Sequence, residues 1–470
     1  MAPISVNIAH IVLGLASHGL TAAVPRQGNS LSIEVPTSAP ADASDVVDPA
    51  FPGFAFEQSS FVRYAVDDDG KPNDFSIMVD IFLAKQNLHE TIAWTRAAVD
   101  GIGLDRIHSI QPGNEADLYH DEYTGEGGVF LGPPDYQGTL SNITYVGNYT
   151  RYVNQILDNV KDLPQEKFFT AFDVASHSGD AQKSSWTFDL ETTFGLGIDG
   201  RGAIKEISHH YYQNQAGDAE DLEAGLMTLS LTHGNLDLHS RRINWLKENR
   251  PDLPFIFNEV GNSLFVTNSY EYQNRLGSAL WQVDFYLYSM HLGVARINYQ
   301  QIMHSGFDLW LPVASAGLPA QVFANYYSQP FVADFIGTSG DTTVTKLDVG
   351  GGDAAPNLAA YAAYEAGAPK RLAIANLDYW NRTSSDFDRP VASIAIQVPD
   401  AVDEVTVHRL SSPDGAGADA SSITYGGSQW TYESLGKEVT GVRDDSEEVA
   451  VKDGVATITV PASEAVLVYL

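Results

Sequence analysis

The 470-residue sequence contains no cysteine, which excludes disulfides, catalytic thiolates and zinc sites built from cysteine. Basic side chains are also scarce: 27 lysines and arginines stand against 60 aspartates and glutamates, giving a net charge of −33. A surface this negative repels phosphate backbones and anionic lipids, so nucleic acids and membrane surfaces are not expected partners. The same charge suits an extracellular protein that works at acidic pH, where part of the carboxylates are protonated.

A single apolar run is long enough to be considered for membrane insertion: residues 4–24, which precede the polar stretch PRQGNS. We interpret residues 1–24 as a signal peptide, although no lysine or arginine precedes the run and two histidines interrupt it. An ordinary N-terminal segment and a membrane anchor are the alternatives. Three N-glycosylation sequons, which begin at Asn142, Asn148 and Asn381, agree with secretion. The expected location is therefore extracellular.

Residues 49–338 alternate between short apolar strands and helical patterns. Strands are predicted at 53–57, 107–111, 167–174, 204–212, 255–259 and 294–303. Helices are predicted at 75–86, 89–100, 145–161, 219–249 and 271–292. This alternation is typical of parallel βα units, and their number predicts an α/β fold of the TIM-type (β/α)₈ barrel class.

The pattern changes in residues 339–470, where strands are separated by turns rich in Gly, Asp and Ser. Strands are predicted at 369–377, 390–398, 403–410, 455–460 and 464–470. This spacing predicts a C-terminal antiparallel β-sandwich domain. Residues 25–48 hold one further strand, LSIEVP, and a linker, and we expect this strand to join the sandwich.

Two glutamates stand where an apolar strand meets a glycine-containing turn. Glu115 follows the strand IHSIQ in the segment PGNEADLY, and Glu259 ends the strand FIFNE. Catalytic groups of barrel enzymes gather at the C-terminal ends of the strands. Glycoside hydrolysis needs two carboxyl groups, one to protonate the leaving oxygen and one to attack or assist at the anomeric carbon. We therefore interpret Glu115 and Glu259 as a catalytic pair.

These segments also carry a family resemblance. PGNEADLY resembles the Asn-Glu signature on the fourth strand of the clan of retaining glycosidases with (β/α)₈ barrels, and NEVGNSL resembles the nucleophile strand of that clan. ISHHYYQ, at 207–213, resembles a strand of glycoside hydrolase family 79, which holds β-glucuronidases and heparanase-type endoglucuronidases. Residues 53–64, 231–255 and 462–470 resemble fungal β-glucuronidases of that family, so the resemblance covers most of the chain after residue 30.

The resemblance implies distinct roles for the residues around the two glutamates. It implies that Glu115 is the general acid/base, that Asn114 binds the 2-hydroxyl of the sugar and that Glu259 is the nucleophile. It also implies that His210 and Tyr212 face the barrel interior, with the Tyr212 hydroxyl bonded to the nucleophile. The alternative is that this pair packs under a helix, with the neighbouring residues facing inward.

A glucuronide substrate carries a carboxylate of its own, which an acidic protein has to bind with backbone N–H groups, hydroxyls or a local cation. The resemblance implies that four residues lie where this carboxylate would bind, namely Gly261, Asn262, Tyr299 and His304. An ordinary loop or core role is the alternative for each of them. No metal or other cofactor is expected, since the acidic run at 67–69 lacks the ligand spacing of a calcium loop.

The sequence departs from the family between residues 86 and 90, where two predicted helices meet with no room for the second and third strands of the barrel. The Arg-x-Gly-Gly strand of the family is also absent. We therefore expect a barrel that lacks strands 2 and 3, which would leave strand edges unpaired. A wrongly assembled gene model, an inactive splice form and a degenerate paralogue all fit this gap.

The expected function is that of a secreted exo-β-glucuronidase that acts on glycans by a retaining mechanism, with tolerance for 4-O-methylglucuronic acid as a further possibility. An endo-β-glucuronidase of the heparanase type is the nearest alternative, although the negative charge disfavours gripping a sulfated polymer. An inactive carbohydrate-binding relic with a broken barrel is the non-enzymatic alternative.

Overall fold

A computed structural model gives the architecture of the chain. It describes residues 31–56, 77–81, 83, 87–118, 124–125, 129–130, 142–175, 189–214, 221–263, 272, 274–302, 308–315, 317–350, 355–399 and 402–470. The predicted signal peptide at 1–24 and the candidate residue His304 lie outside the described residues.

Among the described residues, the first part of the chain forms one parallel sheet of seven strands: β2 (Pro52–Phe56), β3 (Ile77–Ile81), β4 (Ile107–Pro112), β5 (Phe169–Val174), β6 (Ile204–Asn214), β7 (Phe255–Ser263) and β8 (Val294–Gln301). Their order across the sheet is β2-β8-β7-β6-β5-β4-β3, with every neighbouring pair parallel. The central strands are nearly continuous buried runs, as is usual for a parallel sheet that is covered on both faces.

The helices of this region are α1 (Leu88–Ile102), α2 (Asn142–Asn159), α3 (Leu190–Gly195), α4 (Leu222–Gly225), α5 (Leu229–Asn249), α6 (Leu276–Leu292) and α7 (Ser328–Ile336). Helix α6 is buried from Leu276 to Met290, because it packs against β8 on one side and against α7 and a strand of the C-terminal region on others. Each predicted helix except 75–86 has a counterpart here, and the long pattern at 219–249 forms the two helices α4 and α5.

The helix predicted at 75–86 is wrong, because residues 77–81 form strand β3. Ile77, Val79 and Ile81 alternate with Met78 and Asp80, and the dense apolar composition of the segment fits either period. Pairing with β4 decides the outcome, since it gives the backbone of β3 a partner strand. With β3, the described part of the sheet has seven strands, one fewer than a closed eight-stranded barrel, and β2 and β3 are its two ends.

The C-terminal region is built from two further sheets, and the early strand β1 (Leu31–Glu34) belongs to one of them. The remaining strands are β9 (Thr343–Leu347), β10 (Leu358–Glu365), β11 (Ala368–Asn376), β12 (Val391–Gln397), β13 (Glu404–Ser411), β14 (Ser446–Ala450), β15 (Val455–Pro461) and β16 (Glu464–Tyr469). One sheet has the antiparallel order β9-β10-β11-β16-β13, and β14 also pairs with β13. The other has the order β1-β12-β15, and one hydrophobic cluster contains residues of both sheets.

Short elements complete the described chain: the two-residue strands Thr124–Gly125, Val129–Phe130, Trp310–Leu311, Gln321–Val322, Thr424–Tyr425, Gln429–Trp430 and Glu438–Val439, and 3₁₀ turns at Leu104–Arg106, Ala116–Leu118, Ala324–Tyr327 and Ala420–Ser422. Within the ranges given above, no helix is long and apolar enough to cross a membrane.

Candidate active site

Glu115 stands in a tight turn at the C-terminal end of β4. The chain turns at Gly113, which has φ +93°. Any other residue at this position would have a Cβ atom 2.8 Å from Leu83. Glu115 itself is left-handed, with φ +48°, a backbone conformation that costs energy for a residue with a Cβ. Its N–H donates to the backbone carbonyl of Asp173 at 2.9 Å, which fixes the turn against β5. The side chain of Asn114 is exposed beside it.

Glu259 is brought into the site by an irregularity in β7. His209 pairs with Phe257 and His210 pairs with Glu259, so Asn258 is an extra residue opposite β6. A bulge of this kind re-aims the residues that follow it, and it lets both Asn258 and Glu259 lie on the inner face of the sheet. The same inner face carries the hydrogen-bond partners of both side chains, described below.

The two carboxyl groups lie close together. An oxygen of Glu115, an oxygen of Glu259 and a ring nitrogen of His210 all lie within 4.8 Å of one another. The Glu115 side chain is 20% exposed and that of Glu259 is 23% exposed, whereas the side chain of His210 is buried. Both carboxyl groups are therefore accessible from the open end of the sheet.

Two side chains of β6 bind these carboxyl groups. The Tyr212 hydroxyl donates to Oε1 of Glu259 at 2.6 Å, which is the contact predicted from the sequence. Nδ1 of His210 lies 2.9 Å from Oε1 of Glu115 and 3.8 Å from Oε2 of Glu259. His209 and Tyr211 lie on the opposite face of the strand, where both rings contact the imidazole of His239. The inward pair is thus His210 and Tyr212.

The protonation of this group follows from burial and from neighbouring charges. Burial raises the pKa of Glu259 above its ordinary value and the charge of Glu115 adds to this, while His210 and the Tyr212 hydroxyl act in the opposite direction. Burial by itself would favour neutral His210. The negative charges of Asp173 and Glu259, together with hydrogen bonds to Asp173 and Glu115, outweigh this effect of burial. They raise the pKa of His210 well above its ordinary range.

A chain of amides and one carboxylate supports the site from below. The Asn298 amide donates to Oδ1 of Asn258 at 2.6 Å, and the Asn258 amide donates to Oε1 of Gln111 at 2.6 Å. The Gln111 amide in turn donates to Oδ2 of Asp173. Ser208 donates to the other oxygen of Asp173 at 2.6 Å. Neighbouring strands of the sheet are linked in this way beneath the two glutamates.

Comparisons with known proteins show what the chain is similar to in sequence and in fold. Residues 360–467 match the family model described as the glycosyl hydrolase family 79 C-terminal beta domain. The chain is 27% identical to a beta-glucuronidase of Neurospora crassa over 304 residues, which make up 61% of this chain and 51% of that protein. It is 30% identical to a beta-glucuronidase of Aspergillus niger over 233 residues, or 47% of this chain and 42% of that protein. These matches support the resemblance to glycoside hydrolase family 79, whose C-terminal domain model covers residues 360–467.

The matched regions span about half the length of these curated relatives. Among solved structures, a 4-O-α-L-rhamnosyl-β-D-glucuronidase from Fusarium oxysporum 12S is similar with a TM-score of 0.73 and 17% identity, covering 94% of this chain and 100% of that one. A family 51 α-L-arabinofuranosidase from Bifidobacterium longum is similar with a TM-score of 0.58 and 12% identity, covering 93% and 99%. The chain therefore has an α/β fold with a curled parallel sheet like that of barrel-type glycoside hydrolases.

Two of the predicted substrate-binding residues lie away from the carboxyl pair. The Asn262 side chain is fully buried and donates to the Ser278 hydroxyl on α6. Tyr299 is also fully buried, within the hydrophobic core, and its hydroxyl accepts a bond of 3.0 Å from Asn325. The reason is the alternation of side chains along a strand, which turns both residues toward the helices.

Gly261 is placed by packing against Tyr212. The two residues are register partners on β7 and β6, and a Cβ atom at position 261 would lie 2.5 Å from Cε1 of the Tyr212 ring. A glycine is therefore required for the tyrosine to reach Glu259. The predicted contact of Gly261 with substrate stays a prediction.

The sequence analysis missed several residues of the site: Asp173, Gln111, Ser208 and Asp80. Asp173, Gln111 and Ser208 lie inside apolar strands and meet only when the strands pair. Asp80 lies on β3 as the register partner of Gln111, and it was missed because 75–86 was predicted to be a helix. The signal that could have found Asp173 is its position in an otherwise apolar strand.

Within the described ranges, Glu115, His210 and Glu259 also form the group whose donor atoms come close enough together to hold a metal ion. The two carboxyl groups and the imidazole between them are equally suited to proton transfer and charge stabilisation.

The three sequon asparagines are all partly accessible. Asn142 begins helix α2, where its Oδ1 accepts from the N–H of Asp189, and Asn148 lies further along the same helix. Asn381 lies in a loop of the C-terminal region, where its Oδ1 accepts from the hydroxyl of Thr383 at 3.0 Å.

Proposed function

We propose that the protein is a secreted retaining exo-β-glucuronidase that removes terminal β-linked glucuronic acid, or its 4-O-methyl form, from glycans. The observation that carries this proposal is the spacing of Glu115 and Glu259, whose nearest oxygens lie within 4.8 Å of each other. Retaining glycosidases hold their carboxyl groups about 5–5.5 Å apart, whereas inverting enzymes leave room for a water at about 6.5–9.5 Å. The short spacing favours double displacement.

In the first step, a carboxylate oxygen of Glu259 attacks the anomeric carbon as the bond to the glycosidic oxygen breaks, and Glu115 gives its proton to that oxygen. In the second step, Glu115 takes a proton from water, whose oxygen attacks the same carbon and releases Glu259. The Tyr212 hydroxyl stabilises the ionised form of Glu259 before attack, through its bond of 2.6 Å. The product keeps the β configuration because the carbon is inverted twice.

The substrate class is inferred from the relatives. Both curated relatives are beta-glucuronidases, and the matched parts make up 61% and 47% of this chain. The exo mode is favoured over the endo mode of heparanase-type enzymes because the net charge of −33 would repel a long polyanion. A single terminal glucuronate carries one charge and is repelled much less.

The proposal extends to the fold. The antiparallel sheet and the sheet β1-β12-β15 share a hydrophobic cluster, which supports a β-sandwich for the C-terminal domain, with strand β1 attached to it. The seven described strands of the parallel sheet support a barrel of the TIM type, in which β3 pairs with β4 and fills one of the two strand positions that were predicted to be missing.

A direct test is release of 4-nitrophenol from its β-glucuronide at pH 4–6 by the purified protein, with the β-glucoside and the α-arabinofuranoside as comparison substrates. We expect release from the glucuronide and a loss of at least about 10³-fold in Glu259→Gln. The matched control is Glu248→Gln, an exposed glutamate of α5. Equal rates on all three substrates, or no release by a folded protein, would refute the proposal.

Secretion is tested separately by expression in a fungal host. We expect the protein in the medium, with its N-terminus near residue 25 and with a mass that falls on treatment with an endoglycosidase. A cell-retained protein that begins at Met1 would contradict this part of the proposal without touching the enzymatic part.

A further inference from the structure

Asp173 contacts the acid/base Glu115 along two separate routes. Its backbone carbonyl accepts the N–H of Glu115 at 2.9 Å. Its carboxylate oxygen Oδ2 lies 3.0 Å from Nε2 of His210, and the other ring nitrogen of His210 lies 2.9 Å from the carboxyl of Glu115. Asp173 therefore contacts the backbone of Glu115 directly and its carboxyl group through the imidazole of His210.

The backbone at Asp173 is strained in a way that makes these contacts possible. Phe172 has φ +76° and Asp173 has φ +39°, two successive left-handed residues with side chains inside a strand. The register with β6 shifts at this point, and the Phe172 N–H donates to the Tyr145 hydroxyl at 2.7 Å. Strain of this kind persists only where the surrounding structure enforces it, and it is concentrated at functional sites.

The hydrogen bonds fix the protonation of Asp173. Its oxygens face a hydroxyl and two amide donors, from Ser208, Asn258 and Gln111, and the amide directions are set by the chain of bonds that begins at Asn298. An oxygen pair surrounded by donors acts only as an acceptor, which is the property of a carboxylate. Nε2 of His210 therefore carries a proton that it donates to Asp173.

The second ring nitrogen of His210, Nδ1, lies 2.9 Å from Oε1 of Glu115 and 3.8 Å from Oε2 of Glu259. The acid proton of Glu115 has to face the substrate oxygen, so it is carried by Oε2, and Oε1 accepts from Nδ1–H. An imidazole that donates from both nitrogens is an imidazolium. The pKa of His210 agrees, since the neighbouring carboxylates raise it well above its ordinary range despite the opposing effect of burial.

We infer that Asp173 is a positioning residue that holds His210 as an imidazolium, so that His210 orients Glu115 and places a fixed positive charge between the two catalytic carboxyl groups. This inference rests on the proposed function for the roles of Glu115 and Glu259. It gives Asp173 a role that needs its charge, and a neutral side chain of the same shape cannot perform it.

The titratable groups that face His210 come from every strand packed around it. They are Asp80 on β3, Glu115 and Asp117 after β4, Asp173 on β5, His209 beside it on β6 and Glu259 on β7. Burial lowers the pKa of His209 well below its ordinary range, so the neighbouring imidazole adds no second positive charge. The other groups in this set are carboxyls, and among them Asp173 is the one that is both fully buried and bonded to His210.

The first test is direct detection of both ring protons of His210 by ¹⁵N NMR of histidine-labelled protein, with the signal assigned from His210→Gln. We expect His210 to stay doubly protonated from pH 5 to pH 8 in the wild type. In Asp173→Asn we expect it to lose a proton within this range. A wild-type His210 with one proton at pH 6 would overturn the inference, and this result does not depend on whether Asp173→Asn folds.

The second test is the pH dependence of hydrolysis. If the imidazolium is needed, Asp173→Asn should lose activity as pH rises through the lowered pKa of His210, so its basic limb moves to lower pH. We expect kcat to fall about 10²-fold with KM little changed. A uniform loss at every pH would mean that Asp173 has only a structural role, and would overturn the inference.

The matched control is Asp284→Asn, because Asp284 is equally buried and lies 3.0 Å from Nε2 of His233 in a pair remote from the site. We expect this variant to be less stable but to keep the wild-type pH profile. The two proposals also fail separately. Hydrolysis with a singly protonated His210 overturns only this inference, whereas a doubly protonated His210 in a protein that hydrolyses no glucuronide overturns only the proposed function.

Discussion

The hydroxyl of Tyr212 donates a hydrogen bond of 2.6 Å to Oε1 of Glu259, a direct route by which the protein stabilises the charge on the proposed nucleophile. Burial raises the pKa of Glu259 above its ordinary value of 4.5, and the tyrosine opposes that shift. Activity needs ionised Glu259, so it should rise as the pH passes upward through this pKa.

Tyr212→Phe removes the opposing bond, so the pKa of Glu259 should rise further and the acid limb of the pH–rate profile should move to higher pH. A hydrogen bond to a charged group contributes roughly 1.5–3 kcal/mol, so we expect kcat/KM below the optimum to fall about 10-fold or more. The measurement is kcat/KM against pH for both proteins.

The matched control is Tyr211→Phe, which removes a hydroxyl bonded to Gln213 on the other face of the same strand. Its acid limb should coincide with that of the wild type. Equal displacement in the two variants would show that the shift reflects general damage to β6.

Gly261→Ala tests the close packing that lets Tyr212 reach Glu259. The new Cβ atom would lie 2.5 Å from the Tyr212 ring, so the ring has to move. We expect a loss of about 1–3 kcal/mol in the free energy of unfolding and a fall in activity, since over-packing costs this much. Gly234→Ala is the control: nothing lies within 4 Å of that exposed glycine of α5, and the change should stabilise by about 0.5–1 kcal/mol. The measurement is thermal unfolding of both variants. A Gly261→Ala variant as stable as the wild type would show that position 261 is not closely packed.

Glu115→Ala and Glu259→Ala should respond to azide in opposite ways. Azide can occupy the space of the missing carboxyl and attack the anomeric carbon from that side. In Glu115→Ala the attack follows formation of the glycosyl-enzyme and should give the β-azide, whereas in Glu259→Ala it should give the α-azide directly. The products are separated and assigned by NMR. The same azide anomer from both variants would contradict the assigned roles.

Much of the fold could be predicted because buried parallel strands are short apolar runs. The strands at 107–111, 204–212 and 255–259 all form, each with an end that extends further than predicted. Strand β10 was missed because its sequence, LAAYAAYE, has little intrinsic preference for a strand. The segment forms a strand because it pairs with β9 on one side and with β11 on the other.

The site was predicted where the signal is local and missed where it depends on contacts between strands. Glu115 follows β4, and Glu259 follows the apolar run at 255–257 inside β7; both positions can be recognised in the sequence. The inward position of His210 and Tyr212 follows from alternation once its parity is known. The bulge at Asn258 and the left-handed backbone at Asp173 arise from pairing between strands, so neither could be found. For the same reason the orientation of Asn262 and Tyr299 was not predicted: both side chains point toward the helices, away from the substrate site where they were expected.

The central claim is that Glu115 and Glu259 hydrolyse a β-glucuronide with retention. It is tested most directly by following the anomeric protons of the product by ¹H NMR during the first minutes of hydrolysis of an aryl β-glucuronide. We expect β-glucuronic acid to appear first and the α-anomer to grow in later by mutarotation. First appearance of the α-anomer would contradict the claim, because an inverting reaction cannot proceed through a glycosyl-enzyme on Glu259.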